Sequence, residues 1–182
     1  MLTLTDYIAA VPNFPKPGIL FRDITPLLAH PDAFDTCLEE LRARIEPLQP
    51  THIMGIESRG FIFGAPIARQ LKLPFILARK PGKLPRETYD VTYQLEYGED
   101  QLSVHRDDLP AGARVLIIDD LLATGGTAEA CGALVHAAQA SVVGLCFVIE
   151  LAALQGRARL EASLSSHQPD EQNAVIEALI TY

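Results

Sequence analysis

Residues 115 to 130, Val-Leu-Ile-Ile-Asp-Asp-Leu-Leu-Ala-Thr-Gly-Gly-Thr-Ala-Glu-Ala, force a strand, a tight loop and a helix into immediate succession. Val115 to Ile118 form an unbroken apolar run rich in β-branched residues, the pattern of a strand covered on both faces. Ala128 to Ala140 read as a helix. Between them, Ala123-Thr124-Gly125-Gly126-Thr127 is small enough for backbone N–H groups to approach an anion at a helix N-terminus, and its threonines add hydroxyl donors. That is a cradle for one phosphate. Asp119 and Asp120 would repel the same phosphate, so they need another partner a few ångströms away. A sugar diol can donate to both acids; a Mg²⁺ ion could also neutralise them. The loop has neither the Gly-Lys-Ser/Thr ending of a P-loop nor the Gly-x-Gly-x-x-Gly of a dinucleotide site.

The same grammar recurs upstream. Ile53 to Ile56 and Phe75 to Leu77 read as short buried strands joined by a helix from Gly60 to Leu71, and a further strand starts near Val142. Two successive βαβ units predict an α/β fold with a mainly parallel central sheet flanked by helices. Asp32 to Ile45 reads as an amphipathic helix and Thr3 to Ala10 as a short one. Pro12, Pro15 and Pro17 forbid regular structure through Gly18. From Lys80 to Asp108 the pattern breaks: an alternating run through Tyr97, a turn at Gly98-Glu99-Asp100, and a strand from Gln101 to Arg106 predict an antiparallel hairpin serving as a lid. Ser163 to Gln172 reads as a polar surface loop.

By the strand-end rule for open α/β sheets, Glu57, Ser58 and Arg59 share the crevice of Asp119. Arg59 offers a planar fork to phosphate oxygens. Arg79-Lys80-Pro81-Gly82-Lys83-Leu84-Pro85-Arg86 sets four cations between chain breakers, which suits a mobile arm closing over a departing anion.

The chain has 182 residues, the size of one domain. With 23 acidic against 15 basic residues its formal charge is −8, which argues against a nucleic-acid partner. Cys37, Cys131 and Cys146 are odd in number and scattered, as reduced core residues are, and the five histidines lack ligand spacing, so no protein-borne metal site is expected. The N-terminus has Asp6 where a signal peptide carries basic residues, and Val142 to Leu154 is too short to span a bilayer. These features predict a soluble cytoplasmic protein with no membrane partner.

The segment 115 to 127 closely resembles the phosphoribosyl pyrophosphate (PRPP) motif of type I phosphoribosyltransferases. The resemblance implies that Asp119 and Asp120 bind the ribose hydroxyls, that Ala123, Thr124, Gly125, Gly126 and Thr127 wrap the 5′-phosphate, and that Glu57, Ser58, Arg59, Arg79, Lys80 and Lys83 meet the pyrophosphate. Two further stretches, Phe14 to Pro26 and Leu95-Glu96-Tyr97-Gly98, resemble adenine phosphoribosyltransferases. They imply adenine recognition around Leu20, Phe21 and Arg22, through the backbones of Leu20 and Arg22, and a catalytic Glu96 at the N7 edge of the purine beside a catalytic Arg59. The whole implies one domain with a hood over 1–30 and a lid over 80–108. Its expected reaction is adenine plus PRPP giving AMP and pyrophosphate, with Mg²⁺ brought by the substrate, in a homodimer. A sister enzyme for another base, or a PRPP-sensing regulator without catalysis, are the rival readings. Arg86 stands where the family often has a small residue.

Overall fold

The computed structural model describes residues 2–95, 98–167 and 174–182. In chain order the strands and α-helices are β1 (Ala9–Pro12), β2 (Leu20–Asp23), α1 (Thr25–Ala29), α2 (Pro31–Ile45), β3 (His52–Ile56), α3 (Gly60–Leu71), β4 (Phe75–Ala78), β5 (Thr88–Leu95), β6 (Gly98–His105), β7 (Arg114–Leu122), α4 (Gly126–Ala137), β8 (Ser141–Glu150), α5 (Gly156–His167) and β9 (Val175–Thr181). Strands β4-β3-β7-β8-β9 make one parallel sheet, β1-β2 and β5-β6 two antiparallel pairs. The α/β architecture with a parallel centre, a hairpin excursion and an N-terminal hood is the one expected.

Strand alternation sorts the core into two. Val115 and Ile117 pack with α4, α5 and the β5-β6 hairpin on one face; Leu116 and Ile118 pack with α2 and α3 on the other. All four are completely buried, each worth about 2 kcal/mol of apolar transfer. On α2, Ala33, Cys37, Leu38, Leu41 and Ile45 supply the apolar stripe, and His30 Nδ1 accepts from the Ala33 N–H to cap the helix start. The Phe75 ring lies where Gly55 and Gly64 leave room, since a Cβ on Gly64 would stand 2.5 Å from it. The order of strand addition reverses between β3 and β7, which run parallel: β3 leads through α3 to β4 on one side, and β7 through α4 to β8 on the other. Their C-terminal ends therefore open a crevice.

Several elements differ from the sequence expectation. Of the helix expected over Thr3 to Ala10 only a 3₁₀ turn at Leu4–Tyr7 forms; Ala9 to Pro12 pair with β2 instead, because ladder bonds to a distant segment outcompete a helix too short to hold itself. Strand β6 begins at Gly98, within the expected turn. Helix α4 starts at Gly126 and ends at Ala137, with Gln139 in the left-handed region beyond it. The expected loop at 163–172 is helical through His167, because ion pairs from Arg157 and Arg159 dock a helix whose own pattern is almost wholly polar. Residues 168–172 lie outside the described residues. Tyr93, Leu102 and Val104 root the hairpin in the core, so only part of the 80–108 excursion is an exposed arm.

Candidate active site

Strand β7 runs to Leu122, so Asp119 and Asp120 lie within it. Asp119 lines a cavity of about 80 Å³ with Ala123, Thr124, Gly125, Gly126 and Thr127, and its Oδ1 lies close to Gly60 at the start of α3. Asp120 meets Arg59, Nε to Oδ2 at 2.8 Å. The Asp120 N–H also donates to Asp119 Oδ1 at 2.9 Å. Burial, reinforced by the neighbouring Asp120 charge, holds the Asp119 carboxyl well above the usual range. Burial also raises Asp120, against the pull of Arg59. Burial makes the charge on both acids costly, and a donor-rich or cationic ligand would offset that cost.

The loop that follows is shaped by glycine. Gly125 has φ 81°, and its carbonyl accepts from the Glu129 N–H to start α4. A Cβ on Gly125 would come within 2.8 Å of the Gly156 carbonyl, and one on Gly156 would collide with the Ala123 carbonyl. The start of α5 is thus pressed against the back of the loop. Arg159 clamps it there through Glu129, with Nε at 2.7 Å and Nη2 at 2.6 Å from one carboxylate oxygen.

Across the crevice, β3 delivers Glu57, Ser58 and Arg59 to the N-terminus of α3. The Glu57–Ser58 peptide is cis. Gly60 permits the approach to β7, since a Cβ there would stand 2.5 Å from the Ile118 carbonyl. The Glu57 carboxylate is turned to the cationic arm: Lys83 Nζ donates at 2.7 Å, Arg79 Nε at 3.2 Å and the Lys80 N–H at 3.0 Å. Burial alone would raise its pKa; these donors, Lys83 foremost, bring it down to about 2. Lys80 Nζ pairs with Asp100, and Arg86 reaches Asp108 at 2.6 Å.

The hood places Leu20, Phe21 and Arg22 on β2. The Asn13 N–H donates to the Ile19 carbonyl at 2.7 Å, so positions 19, 21 and 23 face β1. Leu20 and Arg22 therefore direct their backbone N–H and C=O groups away from β1, along the other edge of β2. The Arg22 side chain is occupied elsewhere, its guanidinium 3.6 Å over the Tyr182 ring. Phe14 packs edge-on against Phe21, ring centroids 5.2 Å apart. Arg59 lies near enough to help lower the Asp23 pKa, behind the larger effect of the Thr25 hydrogen bonds, which brings the end of β2 to the crevice. Glu96 lies outside the described residues.

Sequence reasoning missed Gly156, Arg159, Tyr93 and Asp100. Tyr93 and Asp100 oppose each other in the hairpin register, a pairing legible only once the turn is placed. Gly156 carries no local signal beyond its position after a 3₁₀ turn.

The family model of the phosphoribosyl transferase domain matches residues 24–177, which hold the paired acids of β7, the glycine-shaped loop and the opposing cationic arm. An adenine phosphoribosyltransferase of Parasynechococcus marenigrum is 51% identical over 181 residues, covering 100% of this chain and 99% of its own. Among solved structures, that of adenine phosphoribosyltransferase from Thermoanaerobacter pseudethanolicus superposes with a TM-score of 0.88 at 42% identity, covering 99% of this chain and 100% of that one. The Saccharomyces cerevisiae enzyme, complexed with an imino-altritol bisphosphate and adenine, gives 0.84 at 37%, covering 97% and 96%. The chain belongs to the adenine phosphoribosyltransferase family.

Proposed function

We propose that this protein transfers the 5-phosphoribosyl group of PRPP to adenine, giving AMP and pyrophosphate. The observation that carries the reading is the division of the crevice: buried paired acids on β7, the small-residue loop beside Asp119, and the cations of the opposite wall. Asp119 and Asp120 accept from the ribose hydroxyls, and Ala123 to Thr127 donate to the 5′-phosphate. Arg59, Arg79, Lys80 and Lys83 receive the pyrophosphate, with the Ser58 backbone, and stabilise its charge as it leaves. Glu57 serves this subsite by gathering Arg79 and Lys83. Adenine lies along the outer edge of β2, where Leu20 and Arg22 offer a carbonyl to the 6-amino group and an N–H to N1, with Phe21 between them; a 6-oxopurine would leave both mismatched. Glu96 closes on the N7 edge and assists proton movement.

Purine N9 forms a bond to the anomeric carbon as the bond from that carbon to pyrophosphate oxygen breaks, and the leaving group takes the electron pair. Holding both reactants in line supplies much of the acceleration. No group of three or more His, Cys, Asp or Glu suited to a metal occurs among the described residues. A Mg²⁺ ion would arrive on PRPP, taking its ligands from substrate oxygens and water, and would supply charge neutralisation at the leaving pyrophosphate.

The 182 residues act as one domain, with hood 1–30 and lid 80–108, as a cytoplasmic homodimer. No helix among the described residues is long and apolar enough to cross a membrane. The test is product formation: purified protein with PRPP and Mg²⁺ should convert adenine to AMP, with hypoxanthine and guanine turned over far more slowly. Equal turnover of a 6-oxopurine would overturn the base assignment, and no turnover of any base would overturn the enzyme.

A further inference from the structure

Lys80 is held by more than its own loop. Its Nζ pairs with Asp100 Oδ2, the same oxygen that accepts from the Tyr93 hydroxyl at 3.2 Å. The other oxygen, Oδ1, is fixed by the Gln101 N–H at 2.8 Å. Tyr93, buried to 8% exposure, also reaches Thr127 of the phosphate loop with its hydroxyl. The backbone reinforces the arrangement, because Arg79 and Ser103 exchange both N–H···O bonds at 2.9 and 2.8 Å and so suture the arm to β6. A polar chain thus runs Tyr93, Asp100, Lys80, with the Thr127 side chain beside the Tyr93 hydroxyl.

We propose that Asp100 and Tyr93 are positioning residues for PRPP, fixing the Lys80 ammonium beside the phosphate loop so that one network spans both phosphate subsites. The inference rests on Lys80 as a pyrophosphate ligand. A lysine side chain is rich in rotamers, and holding it ready removes part of that entropic cost from substrate binding. The Lys80 hydrogen bond holds the Asp100 carboxyl below its usual range, so the anchor is ionised at neutral pH. An anion near a site for a highly charged anion is otherwise a liability, and this gives the proposal a distinctive sign. On charge alone, Asp100→Asn should tighten PRPP binding; if Asp100 positions Lys80, it should weaken it.

The experiment is steady-state kinetics with PRPP, adenine and Mg²⁺ on Asp100→Asn, Tyr93→Phe, Lys80→Met and the Lys80→Met/Asp100→Asn double variant, with thermal unfolding of each. Asp100→Asn should raise the KM for PRPP about 10-fold, and Tyr93→Phe less but in the same direction, with the KM for adenine unchanged. In the Lys80→Met background Asp100→Asn should add nothing. An unchanged or lowered KM in both single variants while Lys80→Met is impaired overturns the positioning role, as does a multiplicative effect in the double variant. If Lys80→Met itself leaves the KM for PRPP unchanged, the pyrophosphate assignment of Lys80 falls and the proposal with it. Tyr93→Phe, which removes one oxygen and keeps the ring, decides the matter if Asp100→Asn does not fold.

Discussion

Asp120 and Arg59 form a 2.8 Å ion pair in which the acid side chain is 6% exposed and the cation 45%. The pair joins the β7 wall of the crevice to the start of α3. A substrate carrying both a diol and phosphates offers each partner a replacement, donors for the acid and anionic oxygens for the guanidinium. The same exchange is available to Glu57 with Lys83. On the proposed reading, these internal ion pairs are ones that PRPP substitutes group for group.

The acid pair should trade activity against stability. Asp119→Asn with Asp120→Asn should reduce kcat/KM for PRPP on the order of 100-fold or more, since two charge-assisted hydrogen bonds are lost. Asp119→Asn alone should raise Tm at neutral pH. A carboxylate whose folded pKa is raised destabilises the fold while ionised, and falling pH relieves the cost. The gain over the unaltered protein should therefore shrink on acidification. Calorimetry across pH checks it, and a lower Tm for Asp119→Asn at pH 7 would contradict it.

Gly156 should behave as a site residue although it offers no side chain. In Gly156→Ala the new Cβ meets the Ala123 carbonyl and the Gly125 nitrogen, and the anion loop must shift. The expected outcome is a loss of about 10- to 100-fold in kcat/KM for PRPP, with stability reduced by about 1–3 kcal/mol. Stopped assays and denaturant titration measure the two. A purely structural effect would lower stability and leave the KM for PRPP alone.

Acid should release the cationic arm. The Glu57 pKa falls from the ordinary 4.5 to about 2 on folding, so its contribution is fully present above about pH 4.5 and is lost as pH drops towards 2. In Glu57→Gln that part of the acid unfolding limb should flatten. Proteolysis within 79–86 at neutral pH should also be faster than in the unaltered protein. Identical acid limbs would show that Glu57 holds nothing.

Glu96→Gln should lower kcat at least 10-fold while changing the KM for PRPP little, the signature of a group engaged only as the purine reacts. Single-turnover kinetics separates this from slowed product release.

The parallel core was legible because its signals are local. Val115 to Ile118 and Gly60 to Leu71 announce themselves by composition and period, and the crevice follows from their order. The hood was not, since Ala9 to Pro12 finds its partner only across a turn with two prolines. Strand β9 was also missed. It is an edge strand with Val175 exposed and only Ile176 and Ile180 well buried, too sparse a pattern to read. At the site, the charged residues could be named from local motifs, while their mutual pairing was invisible. Whether Arg59 meets a ligand or Asp120 depends on how the start of α3 meets β7, and β7 continues past the point where its apolar run stops.

Strand alternation has a last consequence in the hood. The outward groups of Leu20 and Arg22 are set by the number of residues between Asn13 and Ile19, and side-chain identity does not enter. Substitutions drifting through β2 leave that edge as it was, whereas deleting one residue from the turn would present a neighbouring set of backbone groups in its place. On the proposed reading of Leu20 and Arg22, base choice is resistant to point mutation and exposed to changes in length. In diverging members of such a lineage, altered base preference should be sought in the spacing of the hood before its composition.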